Sequence, residues 1–261
     1  MHLAEWLPLK CVAVRAPDSA VPNQEVIDSQ WQDLGYPNRP VLEKAVSEHT
    51  AFVDILRNVG AEVVELPSGA GLTLDSIYAR DTAIPSPQGV ILTAMGKDAR
   101  QQEPAVLSDI LSTNKIPVAG HINAPGRFEG GDCVWIDPET LLIGRTYRTN
   151  DEGIRQAKEL LGPSVQVEVF QMPHYKGPGD VFHLMSILSP VAHDVAVCYP
   201  PLTPVPLMET LSRRNIQIVE VPDVEFESMG CNILALGQST VVMVQGNPQT
   251  KAAIEAAGIS V

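Results

Sequence analysis

The chain of 261 residues sets 31 acidic side chains against 18 basic ones, a formal net charge of −13, and combines 44% hydrophobic with only 19% charged residues. That balance describes a chain able to bury a large core and excludes wholesale disorder, a collagen-like repeat and a coiled coil. It also leaves little means of building the basic face that phosphates require, so nucleic acid is not an expected partner, whereas a cationic small molecule suits the acidic field.

Elements are read from periodicity and punctuation. A first strand is expected at Cys11–Arg15, followed by Asp18–Pro40, whose Pro, Asn, Asp and Gln content marks either a lid or a plain surface loop. Leu42, Ala45, Val46, Phe52, Ile55, Leu56 and Val59 recur at helical spacing and predict a helix over Val41–Val59, with Gly60 at its stop. Strands are then expected at Ala61–Leu66 and Val90–Thr93, a helix at Glu103–Thr113, strands at Cys133–Ile136 and Leu141–Gly144, and a helix at Asp151–Leu161. The strands Gln166–Met172 and Val195–Cys198, the helix Pro206–Arg214, the strands Gln217–Val221, Ile233–Leu236 and Thr240–Val244, and the helix Thr250–Ala257 complete the reading. No Ser/Gly linker or charge block divides the chain, so a single domain over residues 1–261 is expected. Four scattered cysteines without a CxxC pair, and no apolar run near the roughly 18 residues that span a bilayer, point to a reduced, cytoplasmic protein outside the membrane.

Three helices run into a strand closed by proline, in GAEVVELP (ending at Pro67), VQVEVFQMP (Pro173) and IQIVEVP (Pro222), with a degenerate copy around Ile116–Pro125. The pitch is about 50 residues, which suggests some five ββαβ-like units in radial repetition. Polar, chemically able residues recur at the same stage of each unit: Asp75 and Asp81 after the first, Glu129 and Asp132 after the degenerate copy, His183 after the third, and Glu225 and Cys231 after the last. In a closed ring of such units, equivalent strand ends converge on the axis. A lone turn carrying Asp and Gly is ordinary, and a lone cysteine is usually a small buried hydrophobe. A thiol, an imidazole and a carboxylate on equivalent turns make a nucleophile, base and orienter set. The acids Asp75 and Asp81 suit a guanidinium, and Arg100 and Arg148 suit an α-carboxylate or, alternatively, surface ion pairs.

The segments Asp75–Asp81 (DSIYARD), Arg127–Asp132 (RFEGGD), Arg148-Thr149-Asn150, His183-Leu184 and Met229-Gly230-Cys231-Asn232 resemble, in order, those of dimethylarginine dimethylaminohydrolase and its relatives among the guanidino-group-modifying enzymes. The resemblance implies an α/β fold, a five-bladed propeller of pseudo-repeated units. It implies Cys231 as nucleophile, His183 as general acid/base, Glu129 as its acidic partner and Asp75 as guanidinium ligand. Asp81 falls at the substrate's amino-acid end, Arg100 and Arg148 match holders of its carboxylate, and Glu225 is placed like a second guanidinium ligand, with Glu227 close by as the alternative. No cofactor or metal is implied, and the expected partner is a cationic guanidino compound, foremost an N-methylated arginine. Two positions depart from the pattern: Arg80 stands where these hydrolases commonly carry an acid, and Met185 stands where deiminases and amidinotransferases place an aspartate. Another guanidino or ureido hydrolase, a deiminase, an amidinotransferase or a non-catalytic propeller that binds a partner stay open as alternatives, and so does the oligomeric state, a homo-oligomer included.

Overall fold

A computed structural model describes residues 3–180 and 182–261; Met1, His2 and Val181, which include one of the six histidines and one residue of the segment leading to His183, lie outside the described residues. Leu9–Gly130 forms one compact unit, and Gly131–Val261 with the N-terminal segment up to Pro8 forms the other.

In the Leu9–Gly130 unit, β1 (Cys11–Val14) leads through the short helices α1 (Pro17–Ala20) and α2 (Gln24–Gln30) to α3 (Leu42–Asn58), and β2 (Glu62–Glu65) returns parallel to β1 with Cys11 opposite Glu62. The helix α3 stops where Gly60 takes φ +84° and the Ala61 amide reaches back to the Leu56 carbonyl, closing the last turn on a residue with no Cβ penalty. The second repeat is a three-stranded sheet: β3 (Ala83–Ser86) antiparallel to β4 (Gly89–Leu92), then α4 (Glu103–Thr113), then β5 (Val118–His121) parallel to β4. Leu66, Leu92, Leu107 and Leu111 form one apolar core here. Each such side chain stabilises by about 1.5–3 kcal/mol when fully buried. Val21, Ile27 and Leu74 form another, joined by Trp31, Leu34 and Tyr36. The segment expected as a lid or a loop is thus two short helices whose apolar residues pack onto Leu74.

The second unit repeats the same sequence of elements three times. In order come β6 (Cys133–Asp137) antiparallel to β7 (Thr140–Arg145), α5 (Asp151–Leu161), and β8 (Gln166–Gln171) parallel to β7. Next are β9 (Leu188–Ala192) antiparallel to β10 (Val195–Cys198), α6 (Val205–Arg213), and β11 (Gln217–Glu220) parallel to β10. After α7 (Asp223–Phe226), β12 (Ile233–Gly237) pairs antiparallel with β13 (Thr240–Met243), and α8 (Pro248–Ala256) leads to a single parallel bridge between Thr240 and Ser260. Five β–α–β returns therefore recur along the chain, at the pitch the prolines announce, and the degenerate copy near Ile116–Pro125 holds a true strand, β5. Leu142, Leu184, Leu188, Val197, Leu207 and Ile254 are fully buried in one continuous core of this unit. Among the described residues no helix is long and apolar enough to cross a membrane.

Candidate active site

Every sequence-predicted site residue lies in the segment that follows one of these returns, or in the turn that opens a helix. In the Leu9–Gly130 unit, Asp75 sits in the 3-10 turn Leu74–Ile77 and Asp81 in the turn Ala79–Thr82. The Asp75 carboxylate is buried and taken by the Lys97 ammonium at 2.6 Å, which also donates to the Leu34 carbonyl at 2.8 Å. Tyr36 and Tyr78 stack beside it with ring centroids 6.4 Å apart, and burial pushes the Tyr36 hydroxyl's pKa up, with Tyr78 and Asp75 adding to the shift.

Asp81 is paired with another predicted residue. Arg100 donates through one nitrogen to Asp81 at 2.6 Å, grips Glu103 through two nitrogens at 2.8 Å each, and donates to the Tyr78 carbonyl at 3.0 Å. All three side chains are buried, and although burial opposes the Arg100 charge, the bonds and charges of Glu103 and Asp81 outweigh it and raise its pKa. The expected carboxylate clamp is therefore, in this structure, the centre of an internal ion triad. Glu103 was missed by sequence reading, although a glutamate three residues after an arginine at a helix start is a legible sign of such a pair. Lys97, in the same turn as Arg100, was also missed.

Glu129 is fully buried and accepts the Gly96 amide at 2.9 Å. The glycine after it has a steric reason: a Cβ on Gly130 would lie 2.2 Å from the Arg80 carbonyl and 2.6 Å from that of Ala83. Arg80, the residue that departs from the family pattern, donates in return to the Gly130 carbonyl at 3.3 Å.

In the second unit, His183 is buried at the entry to the 3-10 turn Leu184–Ser186, where its amide donates to the Ser186 hydroxyl at 3.1 Å and its carbonyl receives the Ser186 amide at 3.0 Å. Arg148 is buried in the turn between β7 and α5, its amide held by the Thr146 hydroxyl at 3.0 Å; two residues on, Asn150 caps α5 by accepting the Gly153 amide. Cys231 is 1% exposed, with its sulfur 4.0 Å from the Val197 carbonyl and its own carbonyl held by the Ser189 hydroxyl at 2.6 Å. Burial pushes this thiol's pKa well above the usual 9.0, and nearby Cys198 adds to the shift. Cys133 and Cys198 are buried in strands as expected, while Cys11 is exposed.

Glu225, expected as a second guanidinium ligand, is buried and turned to the start of α8. Its oxygens accept the Gln249 amide, the Thr250 amide and the Thr250 hydroxyl, at 2.8, 2.8 and 2.6 Å, a negative charge at the start of α8. Its main-chain carbonyl accepts the Gly230 amide at 2.9 Å, and Ser228 and Asn247 bond across the same loop. Glu225 thus ties the cysteine-bearing loop to α8. Glu227, the alternative, is exposed and bonds Lys176 at 2.8 Å and the Tyr175 hydroxyl.

The family described as N,N dimethylarginine dimethylhydrolase, eukaryotic, matches residues 16–260. An uncharacterized protein, YkgA of Bacillus subtilis (strain 168), is 27% identical over 206 residues, 79% of this chain and 68% of its own length. The N(G),N(G)-dimethylarginine dimethylaminohydrolase of Pseudomonas aeruginosa is 25% identical over 229 residues, 85% of this chain and 82% of that protein. A solved structure of the Pseudomonas aeruginosa enzyme, a cysteine-to-serine variant complexed with citrulline, superposes with a TM-score of 0.78 at 23% identity, covering 97% of this chain and 91% of that one. The fold is the α/β propeller of these proteins, and its repeats are the five β–α–β returns. With nearly its whole length matched, the chain belongs to the N,N dimethylarginine dimethylhydrolase family.

Proposed function

We propose that the protein is a cysteine-dependent hydrolase of guanidino compounds, with N-methylated arginines as its foremost substrates and a covalent thiouronium as its intermediate. The observation that carries this reading is the recurrence of Asp75, Glu129, His183 and Cys231 after successive β–α–β returns, in the family's order, together with family membership itself. The citrulline held by the Pseudomonas aeruginosa relative is the product such a hydrolysis would give.

In the proposed reaction the Cys231 sulfur, as thiolate, attacks the central guanidinium carbon. The imidazolium of His183 gives its proton to the departing amine nitrogen, the C–N bond breaks with its electron pair on nitrogen, and a thiouronium remains. His183, now neutral, takes a proton from water; the resulting hydroxide adds to the same carbon, and collapse expels the thiolate and leaves a ureido product. Glu129 orients His183, and Asp75 holds the positive group that persists on carbon through both halves. Buried as it is, the thiol ionises only at a cost, and an incoming guanidinium beside it offsets that cost with an opposite charge.

A panel of dimethylarginine, monomethylarginine, arginine and shorter guanidines, assayed for ureido product and released amine with Cys231→Ser as blank, tests the reading. Citrulline with di- or monomethylamine supports it. Citrulline with ammonia from arginine alone would make the protein a deiminase, and no ureido product from any compound would reject the proposal.

A further inference from the structure

Asp132 is 0% exposed, stands at the end of the turn Gly130–Asp132, and is used by no step proposed above. One of its carboxylate oxygens accepts the amide of Leu184, the residue after His183, at 3.1 Å. The other accepts the Thr146 hydroxyl at 2.6 Å, and Thr149 also bonds to the carboxylate through its side chain. Thr146 in turn takes the Arg148 and Thr149 amides on its hydroxyl at 3.0 and 3.1 Å. One carboxylate thus fixes two turns from different repeats, that of His183 and that of Arg148. The strand β7 comes close on the same side: a Cβ on Gly144 would stand 3.4 Å from an Asp132 oxygen and 3.1 Å from the Leu184 Cβ. His183 is a charged group that acts on it, and the Thr146 and Thr149 hydroxyls and the Leu184 amide are neutral donors to it.

Resting on the proposed acid/base role of His183, we propose that Asp132 is the positioning residue of the site: its buried carboxylate sets His183 and Arg148 relative to each other and sustains the imidazolium form of His183. Burial lifts Asp132 to about 6 against the pull of His183 and of its hydrogen bonds. The sign follows from linkage: an acid whose folded value is raised stabilises fully below its unfolded value near 3.8 and loses that contribution as pH rises through about 6. At neutral pH the ionised carboxylate is therefore carried at the expense of stability, as expected of a charge kept for what it does to its neighbour.

The test is Asp132→Asn, which keeps the volume and an oxygen for the Leu184 amide. In the ligand-free protein, the midpoint of the His183 imidazole titration, followed by NMR and assigned against His183→Gln, is expected to fall by about one pH unit. For any substrate turned over, the limb of the kcat/KM profile that reports loss of the imidazolium proton moves down with it. Thr146→Val, which withdraws the hydroxyl from both the Arg148 amide and the Asp132 carboxylate, is expected to raise KM about tenfold. An unmoved His183 midpoint overturns the role of Asp132 whether or not a substrate has been found, whereas an inert panel with a shifted midpoint rejects the hydrolase reading alone. If the asparagine variant does not fold, the parent protein decides: with carboxyl-labelled aspartate, the His183 resonance must show a second step at the pH where Asp132 titrates, and a single step overturns the proposal.

Discussion

Cys231→Ala is expected to leave a folded protein whose turnover of guanidino compounds is lower by roughly 10⁴- to 10⁶-fold, the loss that follows removal of a nucleophile from a set that acts as a unit. The fold survives because the change removes one sulfur from a site 1% exposed, at about 1 kcal/mol. The same burial predicts the behaviour of the parent thiol. Its folded pKa is raised, so its contribution to stability is fully present below the unfolded value of 9.0 and is lost as pH climbs above it. Alkylation of Cys231 at pH 8 should accordingly be slower than that of a free cysteine, and a bound guanidinium should speed it. Undiminished turnover by the alanine variant would remove Cys231 from the mechanism.

For stability, Arg100→Ala carries the largest expected effect. The guanidinium bonds both Asp81 and Glu103, and all three side chains are under 10% exposed. Taking it away removes that positive charge from two carboxylates in a poorly solvated interior, a change that costs about 3–5 kcal/mol. Thermal unfolding should then fall by roughly 8–16 °C. Neutralising the two acids as well, in Arg100→Met with Asp81→Asn and Glu103→Gln, should recover part of the loss, because the penalty lies in the buried charges more than in the missing contacts. A single variant within 1 kcal/mol of the parent would show that the triad is solvated and of little weight.

Much of this architecture is legible in the chain itself. The parallel strands β2, β8 and β11 announce themselves because β-branched runs end at Pro67, Pro173 and Pro222, and the helices α4 and α5 fall on their predicted bounds because Glu103 and Asn150-Asp151 open them with helix-start chemistry. Two of the strands that escaped have a common cause. β3 and β9 contain Pro85 and Pro190, and a proline within an apolar run argues against a strand unless that strand is an edge, as both of these are. The helices of Asp18–Pro40 escaped because they are one or two turns long and owe their order to Val21 and Ile27 meeting Leu74, a contact between distant positions. The site divides in the same way. Residue types and spacing bring Asp75, Glu129, His183 and Cys231 to notice, but the choice of polar partner is made by tertiary placement. Lys97 on Asp75, Glu103 on Arg100 and α8 on Glu225 are therefore seen in the structure and not in the pattern of letters.

The ammonium on Asp75 has a thermodynamic consequence for any cation that comes to that carboxylate. A cation that takes the place of Lys97 makes its arrival an ion exchange, in which the charge balance at the carboxylate is the same before and after. Affinity is discounted by the free energy of the bond given up, and the exchange has a shallow dependence on salt, since little net charge is neutralised. A lysine displaced in that way would also give up its bond to the Leu34 carbonyl, in the stretch of chain that follows α2.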